Sequence, residues 1–442
     1  MKKRENKIDI KKQLRGFQLS HKKDGRPIAV NFRELVPELN KPDRYTHQIH
    51  SYPAKLLMHI PYYFLRTDAL CPKDGVVLDP FCGTGTVLLE TLLSGRNALG
   101  ADANPLAGLI TQVKTNYIAR ENLENKLAEI LTYAKRLRRN GDIPKEVAVW
   151  YSENSLKQLT RLQTAVKQIE NEIERSFFEL CFSSVVRKVS YADPAISVPV
   201  HWNPKRFNET RRVEVAAKIK ALETVDVYKK YETVCKQNID RIESLRGHIC
   251  ENVTAKIVST DARQTGLDDE SVDMILTSPP YAGAQKYIRA SWLNLYWLEK
   301  VRLEEIPELK KLNIGREDYR AGERRESYTG IAKADEVLKA LYKEGKKERA
   351  FIVANYLNEM KVALDEMRRV LKNGSYMVIV IGNNTVCNRK FDTQQYLTDY
   401  LVAQGMTLEY KLIDDIKSYG LMTKRNKTAD KITREWILVL KK

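Results

Sequence analysis

Long apolar runs are the first thing this 442-residue sequence lacks. No stretch reaches the roughly 18 to 20 uncharged apolar residues that a bilayer span requires. The basic start MKKRENKIDIKK is not followed by the apolar core of a signal peptide. The sequence therefore predicts neither membrane insertion nor secretion. Cysteine is also scarce. Cys71, Cys82, Cys181, Cys235, Cys250 and Cys387 are scattered, and no two stand at CxxC spacing. That argues against a zinc ribbon, leaves no metal site to predict, and suits a reducing cytoplasm. Internal repeats and low-complexity tracts are missing as well. What is present is ordinary for a globular chain: 43% hydrophobic and 30% charged residues. The charge is lopsided, with 75 Lys and Arg against 57 Asp and Glu, a formal net charge of +18. Such a balance points to a polyanion, which for an intracellular protein means nucleic acid, or else to a merely basic surface.

Residues 1–44 are polar and basic, and read as an arm that either meets phosphate or is solvated. From Tyr45 the text becomes THQIHSYPAKLLMHIPYYFLR, an aromatic-rich helix candidate ended by Lys73-Asp74-Gly75. The strand-like VVLD then breaks into PFCGTGT, followed by the helical VLLETLLSG and the strand NALGAD. Strand, loop, helix and strand within about 30 residues make a βαβ unit. Residues 118–250 have apolar positions at i, i+3 and i+4 and read as a helical insertion. One irregular piece interrupts it, SYADPAISVPVHWNPKRF. Strands resume in AKIVSTDA and SVDMILTSPPY, and residues 300–350 form a charged excursion with glycine breakers. A helix (FIVANYLNEMKVALDEMRRVL), a Lys372-Asn373-Gly374 turn and three strands (SYMVIVIG, MTLEYKLI, REWILVL) complete the chain. About seven strands with helices between them predict an open, largely parallel, doubly wound α/β sheet. Ligand chemistry is expected at the carboxyl ends of its strands.

Three signals fall at those ends. The first is Asp79-Pro80-Phe81-Cys82-Gly83-Thr84-Gly85-Thr86, whose glycines let backbone approach a ligand ahead of a helix N-terminus. The third glycine of a dinucleotide fingerprint is absent. The second is an acid after each neighbouring strand. Asp102, 23 positions after Asp79, is placed to accept both hydroxyls of a ribose, and Asp261 to accept from an adenine amine. Each could equally cap a helix. The third is Thr277-Ser278-Pro279-Pro280-Tyr281, directly after the apolar strand Met274 to Leu276. Its prolines stiffen the chain and remove two donors. A Ser hydroxyl and a free carbonyl can then accept both hydrogens of one NH₂ group, beside a Tyr ring that suits a planar base.

These residues resemble the amino-group DNA methyltransferases, which make N4-methylcytosine and N6-methyladenine. DPFCGTGT is similar to the family's methionine-donor loop and TSPPY to its catalytic loop. SYPAKLLMHIPYYFLR is similar to the remaining cofactor-pocket element, with Lys55 where a Lys is usual. The resemblance implies a Rossmann-like, seven-stranded methyltransferase sheet built from residues 45–117 and 251–442. It places S-adenosylmethionine against Lys55, Asp79, Pro80, Phe81, Gly83, Gly85, Thr86, Asp102, Ala103, Asp261 and Ala262. Double-stranded DNA would be the substrate, its target base flipped out of the duplex. Ser278, Pro279, Pro280 and Tyr281 would hold that base for direct in-line attack by its amine. The insertion, 118–250, is the candidate target reader through Arg187, Lys188, Tyr191, His201, Trp202, Lys205 and Arg206; the excursion 282–350 is the alternative, with Lys286, Tyr287 and Arg289. A separate cognate restriction endonuclease is a further expected partner, and DNA would keep the protein with the nucleoid.

Cytosine C5 chemistry needs a nucleophilic Cys, in that family within a Pro-Cys dipeptide, and none exists here. Cys82 reads as a small packing residue, and His47, His50 and His59 as surface or core residues. RNA or protein methyltransferases of the same fold usually carry Asn-Pro-Pro-Tyr or Asp-Pro-Pro-Tyr, so Ser278 argues against them. An inactive DNA-binding module stays open. Ser in the first catalytic position leans to cytosine N4, with adenine N6 as the alternative.

Overall fold

A computed structural model of the chain describes residues 9–39, 44–53, 55–138, 142–206, 208–282, 287–416 and 432–442. Ten strands run in chain order: β1 (Ile28–Val30), β2 (Val76–Asp79), β3 (Asn97–Ala101), β4 (Ala255–Ser259), β5 (Val272–Thr277), β6 (Leu371–Gly382), β7 (Asn384–Val386), β8 (Arg389–Phe391), β9 (Thr407–Asp415) and β10 (Arg434–Lys441). Eight of them form one sheet in the order β1-β9-β10-β6-β5-β2-β3-β4. Neighbours are parallel except at β10, which is antiparallel to both β6 and β9. The doubly wound α/β architecture is the expected one.

Helices cover both faces because the central strands are apolar on both. Along β6, Met377, Ile379 and Ile381 join one core with the helices Lys347–Val370 and Thr393–Ala403, while Val378 and Val380 join the other with the helix His59–Leu65. Leu78 and Ile275 face the first core, and Val77, Met274 and Leu276 the second. This is the near-continuous hydrophobic text of strands buried on both sides.

A third core belongs to the helical insertion. Leu123, Leu159, Phe177, Phe178, Tyr231 and Ile239 pack with Leu106 and Ile110 of the helix Pro105–Lys114 and with Leu293 and Trp297 of the helix Tyr287–Trp297. The first of those two helices follows β3, and the second follows the Ser-Pro-Pro-Tyr loop. The insertion therefore rests on the walls of the site itself.

Three sequence expectations need correction. The described part of 1–44 is not an arm standing apart. Its helix Ile10–Asp24 lies on β9, its β1 pairs with β9 as an eighth strand, and Phe32, Val36 and Leu39 are buried. The few apolar residues that do this are diluted among cations in the sequence. The aromatic segment after Tyr45 is helical only over His59–Leu65. Upstream, side chains hold it in turns: Thr46 donates to the Lys114 carbonyl (2.7 Å), and Lys55 Nζ to the carbonyls of His47 (3.2 Å) and His50 (2.7 Å). Residues 300–350 are not wholly an excursion, because the helix Ala332–Lys343 buries Ala334, Leu338 and Leu341 in the main core. The hairpin β7–β8 was not anticipated; Cys387 and Asn388 turn it with positive φ. Among the described residues, no helix is long and apolar enough to cross a membrane.

Candidate active site

β2, β3, β4 and β5 are parallel, so the loops that follow them emerge at one edge of the sheet. After β2, Gly83 (φ 50°) and Gly85 (φ 69°) take left-handed conformations that start the helix Thr86–Leu93. Gly85 is required twice, since a Cβ there would also lie 2.7 Å from Thr111 Cγ2. Thr111 in turn donates to the Gly83 carbonyl at 3.0 Å.

Two carboxylates, Asp79 buried and Asp102 half-buried, underlie this loop. Asp79 Oδ1 accepts from the Phe81 N–H (3.1 Å) and from the Thr277 hydroxyl (2.5 Å), tying the glycine loop to the strand that carries Ser278. Asp102 accepts from the N–H groups of Gly83 (3.0 Å) and Asn104 (2.8 Å). Burial pushes both upward, Asp79 to about 7 and Asp102 to about 6.

A cleft opens over these groups. It brings together nine of the sequence-predicted residues: Pro80, Phe81, Gly83, Asp102, Ala103, Asp261, Ala262, Ser278 and Pro280. The other six do not line it. Asp79 lies beneath the loop, Gly85 and Thr86 are taken up in starting the helix, and Pro279 is buried. Lys55 is engaged by backbone carbonyls. Tyr281 turns its hydroxyl to Glu435 on β10, donating at 3.1 Å. Burial raises the pKa of both partners.

Asp261 is less free than the sequence implies. Its carboxylate accepts a fork from Arg263, with Nε at 2.8 and 3.1 Å and Nη2 at 2.8 Å, and also the Arg263 N–H at 2.9 Å. Most of its acceptor capacity is spent. The same guanidinium reaches the Leu312 carbonyl at 3.4 Å, linking Asp261 to the far wall.

Sequence reasoning missed part of the lining: Tyr52, Thr260 and the Leu312–Asn313–Ile314 wall. Tyr52 was within sight, because it sits in the aromatic segment that leads to the glycine loop. Nothing in the charged text around Leu312 signals a wall. Tyr287, expected to read the target, lines the cleft instead. Its ring is nearly parallel to that of Tyr52 (11°, centroids 6.4 Å apart). Tyr52 Oη accepts from Asn104 Nδ2 at 2.9 Å, and the same amide reaches Ser291 at 3.1 Å. Arg289 is exposed, and Lys286 lies outside the described residues.

The remaining candidates are structural. Cys82 is buried beside Leu88 and Ala98, and burial drives its thiol far from ionisation. His47 pairs with Glu90 (2.7 Å), His50 with Ser183 (3.2 Å) and His59 with the Leu39 carbonyl (3.0 Å). Burial lowers all three, His50 to about 3. Among the described residues no group of three or more His, Cys, Asp or Glu is arranged to hold a metal.

A glycine loop and a strand-end acid on one side of a cleft, with Ser-Pro-Pro-Tyr on the other, define a Rossmann-like amino-group methyltransferase. The family model described as DNA methylase, covering N6 and N4 enzymes, matches residues 3–112 and 272–442, and the chain belongs to that family. The Type II methyltransferase M.MvaI of Kocuria varians is 22% identical over 433 residues, covering 90% of this chain and 91% of its own. M.MjaII of Methanocaldococcus jannaschii, also a Type II methyltransferase, is 30% identical over 97 residues, 22% of this chain and 18% of its own. A SAM-dependent methyltransferase structure from Methanosarcina mazei aligns over 84% of this chain and 94% of its own, at 9% identity and a TM-score of 0.29.

Proposed function

We propose that the protein transfers the methyl group of S-adenosylmethionine to the exocyclic N4 amine of cytosine in double-stranded DNA. The observation that carries this reading is the meeting of Asp102 and Gly83 with Ser278 and Pro280 in one cleft. The cleft suits the donor chemically. Gly83 offers it a wall without a side chain, Asp102 a carboxylate for ribose hydroxyls, and Phe81 and Tyr52 flat apolar surface. Ala103, Ala262 and Pro80 complete the small-residue lining. Asp261, locked by Arg263, bounds the adenine end more than it binds the amine. When bound, the donor supplies a methyl group on a sulfonium centre, ready for displacement.

The chain's own residues make the amine a nucleophile. A cytosine amine is weak because its lone pair is delocalised into the ring. The Ser278 hydroxyl and the Pro279 carbonyl accept its two hydrogens, so the nitrogen pyramidalises and presents its lone pair to the methyl group. Tyr281, its hydroxyl fixed by Glu435, supplies the stacking face for the flipped base. One proton leaves for solvent as the N–C bond forms. No covalent enzyme intermediate is needed, so catalysis is positioning and hydrogen bonding. A neutral Ser suits the cytosine amine, whereas a carboxylate, the stronger acceptor, suits adenine. The Type II names of the two relatives support a restriction–modification setting with a separate endonuclease.

The test is to methylate DNA with the pure protein, digest it to nucleosides and weigh the products. N4-methylcytosine is expected. N6-methyladenine alone would overturn the base assignment and keep the mechanism, whereas 5-methylcytosine would overturn the mechanism. Tight donor binding without transfer would leave a DNA-binding module.

A further inference from the structure

Within the insertion, the helix Glu209–Glu223 combines two features. Of its fifteen residues only Val215 is buried, with Ile219 and Leu222 half-buried beside it at i+4 and i+7. The rest of the helix faces water. Secondly, its cations stand out in solvent. Some surface cations of the insertion are matched within hydrogen-bond distance, as in Arg120 with Glu124 and Asp240, Lys126 with Glu129, Lys157 with Glu153 and Lys236 with Glu232. Others, among them Lys135, Lys229 and Lys230, stand exposed as those of this helix do. Arg212, Lys218 and Lys220 are exposed, with no carboxylate within ion-pair distance among the described residues. A solvated helix needs neither property, and holding exposed cations together costs repulsion that a polyanion would relieve.

At 100° per residue, the side opposite Val215 carries Thr210, Val213, Ala217 and Lys220. Val213 is 67% exposed there. Arg212 and Lys218 fall on opposite flanks. An outward face of Thr210, Val213 and Ala217 with one Lys, bordered by Glu209 and Glu214 and flanked beyond them by Arg212 and Lys218, fits a nucleic-acid groove. The major groove admits one helix, methyl-bearing side chains meet thymine methyl groups, a Lys reaches guanine, and the flanks meet phosphates.

The helix is also mechanically joined to the cleft. It packs on the short turn Pro204–Arg206 that follows a ribbon closed by Asp193 N–H to the Val200 carbonyl (2.8 Å) and Trp202 N–H to the Tyr191 carbonyl (2.9 Å). Arg187, which the sequence offers as a DNA contact, instead clamps that ribbon through the carbonyls of Ile196 and Ser197. His201 stacks on Trp150 (3.9 Å), and Trp150 meets Trp292 (5.9 Å) on the helix whose first residue, Tyr287, lines the cleft. We propose that the helix Glu209–Glu223 is the element that enters the major groove of the substrate and reads its sequence, held at fixed distance from the active site by the Trp292–Trp150–His201 stack.

This rests on DNA being the substrate, so the experiment separates the two. Wild type and the triple variant Arg212→Ala/Lys218→Ala/Lys220→Ala are compared for binding to unmethylated mixed-sequence duplex DNA across a salt series. S-adenosylmethionine affinity and melting temperature are measured alongside. The expected result is DNA affinity lower by at least about tenfold and a log–log salt slope shallower by about two, at roughly 0.9 per lost phosphate contact. Cofactor affinity and melting stay unchanged. An unaltered slope and affinity would overturn the inference. Wild type without salt-dependent DNA binding would overturn the substrate reading, and the inference with it. A Val213→Gln/Ala217→Gln variant tests the outward face by sequencing the methylated sites. Relaxed or altered sites support it. Unchanged sites together with a loss of self-association in sedimentation would make the face a contact between copies of the chain, and would overturn it.

Discussion

Replacing Asp79 by Asn isolates the cost of a carboxylate buried under the glycine loop. Asp79 is 3% exposed, and burial raises it from an ordinary 3.8 to about 7. The folded chain therefore keeps its proton up to about pH 7, while the unfolded chain releases it near pH 4. Between those values the unfolded state binds fewer protons, so this group's contribution to stability falls as pH rises. At about 1.4 kcal/mol per pKa unit, the loss between pH 5 and pH 8 is about 3 kcal/mol. Asp79→Asn cannot titrate. Its amide oxygen retains the acceptor roles toward Phe81 N–H and the Thr277 hydroxyl. Its NH₂ group lacks an evident partner and costs about 1–3 kcal/mol, equally at every pH. Urea unfolding of the cofactor-free protein, followed by tryptophan fluorescence at pH 5, 6, 7 and 8, reads both chains. The variant is the weaker at pH 5 and gains about 3 kcal/mol on the wild type by pH 8. A constant offset across that range would refute the burial argument.

Three further outcomes follow from the same geometry. Asp102→Asn keeps an acceptor for only one of the Gly83 and Asn104 N–H groups, which bond opposite carboxylate oxygens, and lowers S-adenosylmethionine affinity at least tenfold by calorimetry; wild-type affinity itself falls as Asp102 protonates below about pH 6, and the variant does not follow. Gly85→Ala, with φ 69° and a Cβ 2.7 Å from Thr111 Cγ2, loses at least about 2 kcal/mol, read as a lowered melting temperature. Duplex DNA binding by the wild type weakens with salt at a log–log slope of several units, about 0.9 per phosphate neutralised, and a flat response would refute a DNA substrate.

What could be read in advance was what is local. The strand–glycine–helix grammar of VVLDPFCGTGT and the stop at Thr277-Ser278-Pro279-Pro280-Tyr281 are written in consecutive residues. So are the acids that close β3 and follow β4. What stayed hidden depends on partners far away in the chain. β1 has only three residues, and its pairing is decided by β9, some 380 positions later. The Leu312–Ile314 wall is held by distant partners, with Arg263 reaching the Leu312 carbonyl and Ile314 packed into the main core. Tyr281 points to Glu435 because β10 inserts antiparallel beside β6, a contact no motif records. For the histidines, read from the sequence as surface or core residues, burial decides between the two.

The insertion's core is shared with the helices Pro105–Lys114 and Tyr287–Trp297, and this constrains how the protein can diversify. Excising residues 118–250 would leave Leu106, Ile110, Leu293 and Trp297 facing water, and would bare the outer side of both helices that bound the cleft. A descendant can thus exchange the outlying helix Glu209–Glu223, which buries a single residue, while the helices beneath it stay fixed. Novelty is cheap at the rim of the insertion and expensive at its base. Among descendants of this chain, divergence should therefore concentrate where the insertion is least packed, leaving the chemistry under it unchanged.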